Sequence, residues 1–138
     1  MLEILQKIIS ILTTDATLNA IVPAANIFTG VVDIVEESQS GLYLPQINIS
    51  VVTETTRSVP SWTRDTQIQL DIWSRNNQLE VLTIYERILT LFEYQSGNQS
   101  SAHVFWFKMN GANDLNETDR RIWHRACSVT VWSQKINN

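Results

Sequence analysis

Between residues 64 and 73 the chain puts apolar residues on every second position. Ile68, Leu70 and Ile72 fall on one face, and Gln67, Gln69, Asp71 and Trp73 on the other. A period of two predicts a β-strand with one face in a core. The same period runs from Leu44 to Val52, where Ile47, Ile49 and Val51 oppose Gln46, Asn48 and Ser50. Pro45 is tolerated at that strand's entry. A last strand spans about Arg121 to Ser133, with Cys127, Val129 and Val131 on its apolar face. His103 to Met109 is apolar on both faces, Val104 and Trp106 against Phe105 and Phe107. Such a strand lies between two covered layers or under a partner chain.

A period near 3.6 marks the helices. Residues 2–12 place Leu5, Ile8, Ile9 and Leu12 on one stripe, and Glu3, Gln6, Lys7 and Ser10 opposite. Those polar residues interrupt the opening apolar run, so it reads as an amphipathic helix and not as a signal peptide. Asp15 offers an N-cap to a short second helix that should end at Pro23. Asn77 with Glu80 resembles a capping box. The helix it starts carries Val81, Leu82, Tyr85, Ile88, Leu89 and Phe92 on its apolar stripe, with Glu80, Thr83, Glu86, Arg87 and Thr90 outward. Asn26 to Gly30 reads as a short extended piece, 31–43 as irregular and 53–63 as a polar arm. Tyr94 to Ala102 reads as a loop, and Asn110 to Thr118 as a turn-rich connection. The order α, α, β, β, β, α, β, β predicts a single α+β domain over 1–138. Its architecture is an antiparallel β-sheet of about four to five strands with helices packed on one face.

Two strands end almost alike, in Leu70-Asp71-Ile72-Trp73-Ser74 and Val129-Thr130-Val131-Trp132-Ser133. Each places a tryptophan on the face away from the core. With Trp106, three tryptophans are predicted on the helix-free side, among Gln, Asn and Thr. Tryptophan and arginine are enriched at subunit interfaces. Trp73, Trp106 and Trp132 are therefore candidate interface residues, together with Arg57, Trp62 and Arg64 of the arm and Arg121 and Arg125 of the last strand. The rival reading is that each indole is roofed by a loop of its own chain.

The composition adds mainly exclusions. The net charge of −4 over 138 residues argues against a strong nucleic-acid or anionic-membrane partner. Arg120, Arg121, His124 and Arg125 lie beside Trp123, yet Asp114, Glu117 and Asp119 precede them, so ion pairing is the better reading than base stacking. The single cysteine, Cys127, reads as a buried thiol, and the three Asn-x-Ser/Thr matches as chance. No transmembrane run is present. His103 and His124 have no acidic residue at metal-ligand spacing, the serines lack an elbow context, and the four glycines are isolated. Glu36-Glu37 reads as a solvated pair. No cofactor, metal site or catalytic group is expected.

The order of these elements and their local spellings resemble the tail completion, or tail terminator, proteins of long-tailed bacteriophages, over nearly the whole chain. Asp15-Ala16-Thr17-Leu18-Asn19-Ala20-Ile21-Val22 is similar to that family's Asp-x-x-Leu-x-x-Leu-Val step, and Ile27-Phe28-Thr29-Gly30 to its Ile-Tyr-x-Gly. Leu44-Pro45-Gln46-Ile47 stands where the family has a proline-led strand. Gln67-Ile68-Gln69-Leu70-Asp71-Ile72-Trp73-Ser74 resembles its Val-Gln-Ile-Asp-x-Trp strand, and Val129-Thr130-Val131-Trp132 its closing one. The aromatic strand 104–107 and the segment 31–43 depart from the pattern. The resemblance implies a structural virion protein and no enzyme. It implies a homo-oligomeric ring, typically of six subunits, on the head-proximal end of the tail tube. Its partners would be further copies of itself, the tail-tube protein and the head connector, with DNA crossing the lumen unbound. A head-closure protein of the same virion is the neighbouring alternative, and a small ligand-binding α+β domain the more distant one.

Overall fold

The computed structural model describes residues 2–29, 45–56, 63–74, 77–95, 99–100, 103–115 and 122–135. Strands β1 (Ile27–Thr29), β2 (Gln46–Thr56), β3 (Thr63–Ser74), β4 (Gln99–Ser100), β5 (His103–Leu115) and β6 (Trp123–Lys135) form one sheet in the order β1-β2-β3-β6-β5-β4. Helices α1 (Leu2–Thr13), α2 (Ala16–Asn19) and α3 (Gln78–Gln95) complete the α+β fold. The sheet is mixed, not wholly antiparallel. β1 runs parallel to β2, pairing Ile27 with Ile47 and Thr29 with Ile49.

The core lies between the helices and one face of the sheet. Across it run the rows Ile47–Ile72, Ile49–Leu70–Cys127 and Ile68–Val129, paired directly between strands. All of these side chains are buried. Alternation puts Phe105 and Phe107 of β5 on the same face, and Phe92 of α3 stacks on Phe107 with ring centroids 5.1 Å apart. Fully burying an aliphatic or aromatic side chain is worth about 1.5–3 kcal/mol relative to exposure, so these rows dominate the fold's stability.

Both helical stripes are rotated from their expected positions. α1 buries Ile4, Ile8, Ile11 and Leu12, while Leu5 and Ile9 are only half-buried. α3 buries Val81, Ile84, Ile88, Leu91 and Phe92, leaving Leu82 and Leu89 at the margin. Each helix offers a broad apolar stripe, and the layer it meets selects the centre of that stripe. Asn77 caps α3 as expected, accepting the Glu80 N–H at 2.8 Å, and the Glu80 carboxylate accepts the buried Ser74 hydroxyl at 2.7 Å.

Three segments read as connections are partly ladder or helix. α3 continues to Gln95, and Gln99–Ser100 pairs with Val104 and His103. β2 and β3 pair as far as Thr56 and Arg64, well into the expected polar arm, with a bulge at Val52. β5 does not end at Met109. It bulges at Asn110 and pairs with β6 through Leu115. Gly111, beside that bulge, has φ 135°, a conformation side-chain-bearing residues rarely adopt.

Asp15 joins the helices. Its carboxylate caps α2 by accepting the Leu18 N–H at 2.8 Å, and it accepts Arg87 Nε and Nη2 of α3 at 2.9 and 2.8 Å. Arg87, expected to face outward, is thus an interhelical partner. The Arg87 hydrogen bonds first, and the Leu18 N–H with them, hold the Asp15 carboxyl below its ordinary value of 3.8, against the opposing effect of burial. A carboxyl whose folded pKa is depressed stabilises the fold above its ordinary value, and that contribution is lost as pH falls through the lowered value.

Two predictions follow from these contacts. Asp15→Asn keeps the cap but removes the charge, so it should be less stable than the parent at neutral pH. The gap in denaturation midpoint should close as pH drops below about 4; a gap independent of pH would contradict the ion-pair account. Gly111→Ala should cost about 1 kcal/mol or more, because φ near 135° is closed to alanine although space for its Cβ is open. Urea titration of the two proteins measures it.

Candidate functional site

The helix-free face is polar, as the alternation requires, and the register fixes its rows. Trp73 stands between Gln46 and His124, and Asp71 between Asn48 and Ala126. Further along come Gln67 and Thr130 beside Lys108, then Asp65, Trp132 and Trp106. β3 and β6 are adjacent and antiparallel, so their similar endings place Trp73 and Trp132 at opposite ends of one face. Eight residues of β6 separate Trp132 from the partner of Trp73, roughly 27 Å at about 3.4 Å per residue.

The two ends differ. At the first, the ring of Trp73 stacks on His124 with centroids 3.6 Å apart and planes 15° from parallel. His124 Nε2 lies 2.7 Å from the Asp71 carboxylate, which also accepts Gln69 Nε2 at 3.1 Å on both oxygens. Asp71, His124 and Gln46 are buried and Trp73 is half-buried. This is a packed intrachain cluster, in which a buried carboxylate meets two donors. At the other end Trp106 and Trp132 are direct cross-strand partners. Trp132 is half-buried, whereas Trp106 is 39% exposed.

The other candidates fall elsewhere. Arg125 is on the helix-covered side, opposite Ile72. Its guanidinium accompanies Asp114 at 2.9 Å and sits 4.5 Å above the Tyr85 ring, a cation–π contact that half-buries it within the chain. Arg64, exposed near the start of β3, pairs with Glu54 of β2 at 3.3 Å. Arg57, Trp62 and Arg121 lie outside the described residues, as do segment 31–43 and the Glu36-Glu37 pair. The structure therefore brings Trp106 and Trp132 together and puts Trp73 at the far end of their face. It places Arg64, in the row next to Trp132, and Arg125 on the opposite face.

Cys127 is buried, and its thiol donates toward the Leu70 carbonyl at 3.4 Å. Burial foremost, and the Asp71 carboxylate next, push its pKa up to about 12, so it is inert as a nucleophile. Among the described residues no three His, Cys, Asp or Glu side chains are placed to hold a metal ion. No described helix is long and apolar enough to cross a membrane. Sequence reasoning missed the Asp71–His124 pair and the Arg125–Tyr85 contact. The alternation of β3 and β6 puts Asp71 and His124 on one face once the strands are paired in this register, but nothing local announces it.

No protein-family model matches the sequence, and no curated protein matches it either. Solved structures do. A chain in the virion of a native gene transfer agent particle superposes with a TM-score of 0.61 at 10% identity, covering 92% of this chain and 91% of that one. At such identity the likeness is one of fold.

The contrast between the two ends of the face is measurable. His124→Ala removes one of the two donors to the buried Asp71 carboxylate and unstacks Trp73, and should cost about 2–3 kcal/mol of monomer stability. Trp106→Ala should cost about 1 kcal/mol or less. Equal losses in chemical denaturation would show that the Trp106 end is as firmly packed as the Trp73 end.

Proposed function

We propose that the chain is a structural virion protein, a subunit of the ring that caps the head-proximal end of a phage tail tube. In that place it ends tube polymerisation and presents the surface to which the head joins. One observation carries this reading: the fold likeness to a virion chain extends over nine-tenths of both chains. The order of motifs from Asp15 to Trp132, which resembles that of tail terminator proteins, is in keeping with it.

The partners are further copies of the chain, the tail-tube protein and the head connector, and the location is the assembled virion. Among the described residues the exposed Trp106 beside Trp132 is the strongest contact surface on the helix-free face. DNA passes through the lumen of such a ring without specific binding. The acidic chain suits this role, since a lumen that gripped phosphates would retard the genome.

Native mass spectrometry, with and without the tail-tube protein of the same genome, is the direct test. A closed oligomer is expected in at least one condition. A strict monomer that also ignores tube protein would falsify the ring. Deleting the gene should yield overlong or unjoined tails, whereas heads that leak DNA would assign the chain to head closure instead.

A further inference from the structure

Four strands, β2, β3, β6 and β5, make the body of the sheet, each antiparallel to the next. An even number of alternating strands leaves the two outer ones, β2 and β5, running in opposite directions. Among the described residues β1 lies along β2 only at Ile47–Ile49, and β4 along β5 only at His103 and Val104. These short flanking strands sit at opposite ends of the sheet. Between them a band remains in which β2 and β5 are the outermost described strands. The register places the same rows at both its margins: Thr53–Gln67–Thr130–Lys108 and Thr55–Asp65–Trp132–Trp106.

The exposed apolar side chains also gather on the two outer strands, with Trp106 inside the band, Val52 at its bulge and Leu115 beyond it in the row of His124 and Trp73. Of the four large exposed hydrophobic residues described, Val52 is on β2, and Trp106 and Leu115 are on β5, at 54%, 39% and 44% exposure. Only Leu79 lies elsewhere, in the first turn of α3. Outer strands rich in exposed apolar groups are templates for pairing with another chain.

We propose that copies of this chain join head to tail through β2 and β5, continuing one antiparallel sheet from subunit to subunit. The proposal rests on the ring reading and supplies its contact. A copy related to its neighbour by rotation alone presents β2 to β5 with opposite polarity, the antiparallel pairing that is the more stable one. The contact is heterologous, as a ring requires. Bulges at Val52 and Asn110 bound the regular segment, and the shared rows set the seam along Thr53–Thr56 and Phe105–Lys108. Across it the Trp106 indole meets the β-branched Thr53 and Thr55 of the next copy, a favourable cross-strand match.

Thiol cross-linking tests the seam. Cys127 is buried and can remain. Lys108→Cys is combined with Thr53→Cys or with Thr55→Cys, both exposed, and treated with a short bifunctional thiol reagent. A ladder beyond the dimer is expected from a double variant and not from any single one. In the unmodified protein, assembly should slow amide exchange in both Thr53–Thr56 and Phe105–Lys108. A dimer from Lys108→Cys alone would mean that β5 pairs with itself, and would overturn the head-to-tail seam. So would a ladder of equal yield from Thr83→Cys with Thr90→Cys on the outer face of α3. A ring seen by native mass spectrometry with neither ladder nor protection overturns the seam and leaves the ring standing. A strict monomer, alone and with tube protein, overturns both.

Discussion

A single layer of helices can cover only one face of a sheet, and most of this molecule answers to that constraint. α1 and α3 bury the face carrying Ile47, Ile49, Ile68, Leu70, Cys127, Val129 and Val131. The alternation that delivers those residues also delivers Gln46, Asn48, Gln67, Gln69, Asp71 and Thr130 to the reverse side. Most polar groups there remain in water or find partners, since burying one unpaired costs about as much as a hydrogen bond supplies. The Gln46 amide and Asn48 Oδ1 are nonetheless buried with no hydrogen-bond partner among the described residues. At the Trp73 end they found one another, through Asp71, His124 and Gln69. At the Trp106 end an indole is left partly in solvent, where a neighbour can cover it.

The period of two in β2, β3 and β6 made the core rows legible, because each strand's burial follows directly from alternation. Asp15 as a cap was equally plain, since a cap is a local hydrogen bond. What failed locally was set by tertiary contact. α1 carries Ile4, Leu5, Ile8, Ile9, Ile11 and Leu12, a stripe broad enough for two orientations, and packing chose Ile4 and Ile11 over Leu5 and Ile9. Residues 110–115 look like turn sequence, with Asn, Gly, Asn and Asp, yet a bulge at Asn110 and the φ of Gly111 let β5 continue beside β6. The parallel pairing of β1 with β2 has no signature in three residues.

The site was legible in part for the same reason. That Trp73 and Trp132 share a face follows from alternation alone, whereas Trp106 sits in a strand apolar on both faces and joins them through the pairing of β5 with β6. That Trp73 is stacked while Trp106 is exposed depends on His124, which is 51 positions from Trp73 in the sequence and adjacent only because β6 lies beside β3. Arg87 and Arg125 teach the same lesson. Arg87, read as outward on its own helix, is claimed by Asp15. Arg125 pairs with Asp114 as its acidic neighbourhood implied, and also meets Tyr85, which that neighbourhood did not announce. Arginine's long stem and planar head let it serve such distant partners, so its role is the hardest to read from its neighbours in sequence.

Strand parity links the fold to assembly. Had the antiparallel body three strands, its outer strands would run the same way, and a head-to-tail neighbour could meet them only in parallel. Four strands remove that obstacle. Because each copy keeps its helices on one side, a sheet continued through β2 and β5 gathers every helical layer on one wall and every polar face on the other. Helices are bulkier than the Gln, Asn and Thr side chains opposite, so such a sheet, were it to close, would do so with helices outside. The inner wall would then carry both charge signs, in Asp65 and Lys108, with Asp71 engaged by Gln69 and His124. A wall of that kind offers phosphate no concentrated positive field. The same alternation that builds the core would thus supply a lumen through which nucleic acid can slide.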